Sequence, residues 1–265
     1  MIRLTVDGAF DWPAMLAYFR PRGIRGVEFV DAVTYRRVTP SGEELVVGVD
    51  DRRLVASLGP RSQVARLCGL DGDHAAAVQA LRRDPVVGPR VRRRPGLRVP
   101  GTWDPYETGV RAIVGQQVSV AGASTVTARV VARLGTPATG LGPGLERSFP
   151  RPEVLADADL DGLGLTGARI AAIRGWSAAV ASGRVRLDRA VPLEDLVDAI
   201  VSVRGLGPWT AHYVAVRAGY ADAFPAADLG LQRSAGLGAR ALAAAAERWR
   251  PFRALAAVHL WETPA

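Results

Sequence analysis

The chain has 265 residues, 48% hydrophobic and 23% charged, which is ordinary globular usage and length enough for two or more packed units. No apolar run approaches the roughly 18 residues of a membrane span, the N-terminus lacks a signal peptide's apolar region, and the single cysteine, Cys68, excludes both an intrachain disulfide and a four-cysteine iron–sulfur cluster. The net charge of +8 favours a polyanionic partner, because neutralising phosphates releases counterions, and a cytoplasmic chain without membrane contact is the expectation.

Residues 1–89 read as an α+β unit. Ile2-Arg3-Leu4-Thr5-Val6 alternates as a strand does. Asp11 is placed to cap a helix starting near Pro13, with Met15, Leu16 and Phe19 apolar. Strands are expected over 27–30, 34–39, 44–49 and 53–58, giving an antiparallel sheet with helices on one face. Residues 73–82 read as a helix. Residues 85–100 form a connector rich in proline and arginine, whose cluster Arg90, Arg92, Arg93 and Arg94 suits either a solvated linker or phosphate contact.

Residues 90–265 read as all helical. Asp104, Pro105 and Glu107 mark a helix start, as N-cap, first helical residue and the position three beyond the cap. That helix ends at Gly115-Gln116-Gln117, and another runs on to Leu134. Paired glutamines at a helix junction fit a core poorly, and a polar surface turn is their plain reading. Residues 135–151 have the glycine and proline content of a mobile loop. A short helix over 152–158 follows. Asp161-Gly162-Leu163-Gly164-Leu165-Thr166-Gly167 then forms a glycine turn feeding a helix to Ser182, read as a structural αα connection.

Leu193, Leu196, Val197 and Ile200 share one face of a helix over 193–201. Gly205-Leu206-Gly207-Pro208 then makes a turn, and a second helix runs over 209–218 with Pro208 at its start. The unit is helix–hairpin–helix, at about 193–218. Its glycines remove the side chains that would hold a partner away from the backbone, and amides at a helix start attract anions. About twenty residues past the turn stands Asp228, a lone carboxylate in an apolar run. It also suits the N-cap of a helix over 229–237. Asp222, the nearest rival, lies in a polar turn. Further helices are expected over 239–248 and 253–261.

The wording Gly205-Leu206-Gly207-Pro208-Trp209-Thr210-Ala211-His212-Tyr213, with Phe224-Pro225-Ala226-Ala227-Asp228 after it, resembles the helix–hairpin–helix DNA base-excision glycosylase superfamily. It is most similar to the 3-methyladenine DNA glycosylase II (AlkA-like) branch. The likeness extends to residues 109–121, to Arg94-Pro95-Gly96-Leu97-Arg98 and to the ending His259-Leu260-Trp261, and is weaker before about Leu97.

The resemblance implies a monomeric enzyme on double-stranded DNA that flips a damaged base out of the stack. It assigns Asp228 as the catalytic carboxylate, steadying an oxocarbenium-like sugar and positioning water. It makes Trp209, Tyr213 and Trp261 walls of the base pocket, with Tyr18 as a fourth candidate; aromatic faces suit a cationic alkylated base. Gln117 would enter the vacated duplex position. Gly205, Gly207 and Thr210 would hold a phosphate, and hairpin carbonyls bind a monovalent cation in relatives; no other cofactor or metal is implied. The position after the aspartate, often aromatic in relatives, is Leu229, which leaves the lesion range open.

All 34 Lys or Arg residues are arginine, and the position of the bifunctional relatives' lysine is Trp209. Strand nicking through a lysine Schiff base is therefore excluded. The arginine bias also offers a purely compositional account of the charge. Two other classes stay open: a glycosylase for a different lesion, and a non-catalytic helix–hairpin–helix DNA-binding protein.

Overall fold

The structure is a computed structural model that describes residues 1–262. Strands β1 (Ile2–Thr5), β2 (Glu28–Val30), β3 (Tyr35–Val38), β4 (Glu44–Asp50) and β5 (Arg53–Ala56) form an antiparallel sheet in the order β1-β5-β4-β3-β2. Period-two patterning sets its register: Leu45 and Val47 point inward, and Val47 sits between Tyr35 and Ala56. Asp51 and Arg52, both with positive φ, make the tight β4–β5 turn. The buried face packs on α1 (Trp12–Phe19), capped by Asp11 as expected, and on α2 (Arg61–Leu67).

A second core lies among α5 (Pro105–Val114), α6 (Val120–Leu134), α7 (Pro152–Asp157), α8 (Gly167–Ala181), α9 (Leu193–Val201) and α10 (Pro208–Arg217). Trp176 is fully buried at its centre and donates its indole N–H to the Tyr106 carbonyl at 3.1 Å. Gly109 makes room for that ring: a Cβ there would stand 2.4 Å from Trp176 Cε2. A third core joins α3 (His74–Leu81) and α4 (Gly88–Arg93) to α11 (Leu229–Ala235), α12 (Ala239–Ala246) and α13 (Arg253–Trp261). No helix among the described residues is long and apolar enough to cross a membrane.

Three expectations need correction. The connector at 85–100 contains a helix, α4, and its arginines are largely absorbed internally. Arg90 donates to the Ser234 and Glu262 carbonyls, Arg92 to the Arg82 carbonyl, and Arg94 pairs with Asp11 and Glu262. The loop at 135–151 is strapped down rather than free: β6 (Thr136–Pro137) pairs with β7 (Arg147–Ser148), Glu146 N bonds Gly26 O at 2.7 Å, and Gly142 N bonds Glu44 at 2.8 Å. Glu107 does not cap its helix. It is 3% exposed and meets Arg37 of β3 at 2.6 Å, in a buried cluster with Glu28, Tyr35 and Arg111. Asp104 caps α5 alone, accepting from Tyr106 N at 2.8 Å.

Candidate active site

The hairpin forms as its sequence dictates. Val203 and Leu206 are buried and anchor the turn, leaving Gly205 outside. Gly205 has a φ of +90°, and a Cβ there would crowd Ala172 at 3.0 Å. Gly207 opens α10 with no side chain capping it, and a Cβ there would meet nothing within 4 Å. The start of α10 is therefore open to an outside acceptor of hydrogen bonds. Thr210, the third hairpin residue singled out for the phosphate, is 1% exposed.

Asp228 caps α11 by accepting from Leu231 N at 2.9 Å. Its two oxygens are also held by indoles: Trp209 Nε1 donates to Oδ2 at 2.8 Å and Trp261 Nε1 to Oδ1 at 3.1 Å. The carboxylate is thus fixed by three neutral donors, with no ion pair among the described residues. Asp222, by contrast, is tied up by Arg250 and by Arg253 at 2.7 Å. The tryptophans come from α10 and the last turn of α13, so the hairpin and the C-terminal helix jointly aim the group. Gly230 permits this: a Cβ there would lie 2.9 Å from Asp228 Oδ1.

Tyr213 stacks on Trp209, with ring centroids 5.4 Å apart and planes 14° apart, and meets Trp261 edge-on at 6.0 Å. These rings, Asp228 and Tyr18 of α1 line one cavity of about 290 Å³. All five pocket residues singled out in the sequence are therefore brought together. Gln117 lies at the cavity's edge, between the lining residues Gly115 and Val118; it is exposed and has a φ of +58°. A left-handed glutamine is a strained choice, costing on the order of 1–3 kcal/mol, and such strain gathers at functional sites. Its neighbour Gln116 donates to the Gly205 carbonyl at 3.2 Å, joining this loop to the hairpin.

Three arginines of the cavity were not foreseen. Arg22, Arg111 and Arg217 line the same cavity. Arg22 and Arg217 lie 4.0 and 4.6 Å over the Tyr18 ring. Burial raises the Tyr18 phenol, but the charges of Arg217 and Arg22 and a hydrogen bond with Tyr213 outweigh it and hold the group below its ordinary value. Tyr213 is pushed up to about 12, chiefly by burial and then by Tyr18. Arg22 and Arg111 come from distant segments, whereas Arg217 follows Trp209 and Tyr213 at four-residue spacing on α10. Gly230, two residues after Asp228, did carry a signal, since glycine in a first helical turn is unfavourable without a steric reason.

A helix–hairpin–helix followed by a lone, indole-held aspartate at an aromatic cavity defines a class. The chain belongs to the HhH-GPD superfamily of base excision DNA repair proteins, whose family pattern matches residues 110–240, with an AlkA N-terminal domain matching residues 38–104. Within that superfamily it is 33% identical to DNA-3-methyladenine glycosylase 2 of Escherichia coli, over 99% of this chain and 97% of that protein. It is also 36% identical to a probable bifunctional transcriptional activator/DNA repair enzyme AlkA of Mycobacterium tuberculosis. That alignment takes in 99% of this chain but 56% of the relative, so the chain spans little more than half of it. Among solved structures, a 3-methyladenine DNA glycosylase from Archaeoglobus fulgidus shares the fold, with a TM-score of 0.83 at 21% identity over 98% of this chain and 97% of that one.

Proposed function

We propose that this chain is a monofunctional DNA glycosylase that hydrolyses the N-glycosidic bond of alkylated bases in duplex DNA. The observation that carries the reading is Asp228, a carboxylate held by three neutral donors at the edge of an aromatic cavity. Indole and amide N–H groups orient the anion without neutralising it, so its field remains available to a cationic sugar. As the bond between C1′ and the base nitrogen breaks, its electron pair leaves with the base. The oxocarbenium-like sugar is stabilised by Asp228, which also holds the water whose oxygen bonds to C1′ and whose proton passes to the base or to solvent. An alkylated purine is already cationic, so it leaves without a general acid. The open start of α10 would grip the phosphate beside the lesion, and Gln117 would fill the vacated position.

The test is base release from methylated duplex DNA. Wild type should free the base, and Asp228→Asn should lose the activity while still binding lesion duplex. Retained release by that variant would sink the reading; loss of DNA binding together with activity would leave its catalytic part unsupported. One observation favours a broader substrate range. Arg22, Arg111 and Arg217 on the cavity wall offer N–H donors, and the Tyr18 ring already carries two guanidiniums. Neutral lesions bearing acceptor atoms suit that wall better than a cation does, so a lesion panel should include them.

A further inference from the structure

Exposed large hydrophobic side chains are ordinary when scattered, but three on this molecule flank the candidate site. Val118 and Val120 line the cavity from the segment that carries Gln117, and they are 43% and 45% exposed. Leu229, directly after Asp228, is 69% exposed, more than any other large hydrophobic except Met1. Helix α11 sends Leu231 into the third core, fully buried, and Leu229 stands apart from that core. It is not one of the cavity's lining residues either, so it has no place for stacking a base inside. Arg233 lies four residues on, on the same helical face. It is exposed, its Nε donates to the Leu229 carbonyl at 3.1 Å, and it makes no ion pair among the described residues. A bare aliphatic prong, with a guanidinium beside it that makes no ion pair among the described residues, thus stands next to Asp228 on a different segment from Gln117.

We propose that Leu229 is a second duplex-entering side chain: it seats against the base stack beside the extruded nucleotide while Arg233 meets the neighbouring phosphate. The inference rests on the base-excision reading above and adds a positioning residue to it. Aliphatic side chains pressed between base steps unstack and kink a duplex, a cost repaid by wider protein contact. The partner is duplex DNA because the prong directly follows Asp228 of the cavity lining and is flanked by positive charge in a chain of net charge +8. Entry from two segments would hold the strand open from both sides of the vacated position, a task that one glutamine on one loop cannot do.

The experiment uses Leu229→Ala and Leu229→Phe in the full chain. Leu229 belongs to none of the hydrophobic cores, so both variants should fold with the urea midpoint of wild type. A duplex carries 2-aminopurine, a fluorescent base that brightens on unstacking, on one side or the other of a methylated base. Wild type should brighten the probe on at least one side; Leu229→Ala should lose half or more of that rise, and Leu229→Phe should keep it. Single-turnover base release by Leu229→Ala should slow about tenfold on paired duplex, yet be unchanged when the lesion sits in an unpaired loop. An unaltered probe signal, or equal slowing on paired and unpaired lesions, would overturn the proposal, the latter by putting Leu229 inside the pocket. The fluorescence arm needs no chemistry. A wild type that brightens the probe but releases no base would sink the glycosylase reading and leave this one standing.

Discussion

Glu107 and Asp228 are both acidic residues near a helix start, and they have been given opposite surroundings. Glu107 is sealed between the sheet and α5 against Arg37 at 2.6 Å. Burial pushes its carboxyl up to about 7, with Arg37 opposing the shift. Asp228 sits half-buried at a cavity wall, and its partners are two indoles and an amide. Unlike Glu107, Asp228 meets no arginine among the described residues. The first charge is spent on holding two layers together. The second is oriented but left unneutralised, which is what a group facing a developing cation requires.

Exchanging each acid for its amide should separate the two roles. Asp228→Asn is expected to cut single-turnover base release by about 10³–10⁴-fold, the scale of removing a triad carboxylate in other hydrolases, with no loss in a urea melt. Glu107→Gln should do the reverse. Leaving Arg37 buried without its main counter-charge should cost about 3 kcal/mol in urea unfolding, while base release stays within a few-fold of wild type. If Glu107→Gln abolished release in a fully folded protein, the contrast would fail.

His259 extends the comparison to a sealed group with no partner at all. It is 1% exposed, both ring nitrogens lack a hydrogen bond, and burial lowers it to about 4. The unfolded chain protonates this ring near pH 6.5. Stability from this group is therefore complete above about pH 6.5 and is lost as pH falls toward 4, by roughly 3 kcal/mol. His259→Leu should gain on wild type across that window, read as the difference in urea midpoints at pH 7 and pH 4.5. A difference that does not change with pH would mean that the ring is reached by solvent. The smallest expected effect is at Gly230. An added Cβ would press on Asp228 Oδ1, so Gly230→Ala should slow base release on the order of tenfold with little change in DNA affinity.

What the sequence revealed was what is encoded locally. Helix α9 was read to the residue, since Leu193, Leu196, Val197 and Ile200 keep a 3.6 period and Pro192 bounds the start. Four of the five strands were read to within two residues at either end, for the same reason at period two, and β1 matched as closely. Helix α4 was hidden because its prolines and arginines look like a linker. It holds because its guanidiniums find acceptors as far away as Ser234 and Glu262, which no window could anticipate. Glu107 showed the same limit: its spacing from Asp104 suits a capping box, and only the fold reveals Arg37 nearby. In the site, the aromatic set and Asp228 were legible through resemblance and spacing, while the arginine wall, assembled from three segments, was not.

The stitching by α4 reaches as far as the cavity. Arg94 bonds both Asp11, which precedes the helix bearing Tyr18, and Glu262, which follows Trp261; Arg90 bonds Ser234 and Glu262. Two walls of the cavity, one from each end of the chain, are thus tied to α4 and to the Arg94 that follows it. Loosening that tie should shift the two walls relative to each other while the carboxylate and the glycine turn stay as they are.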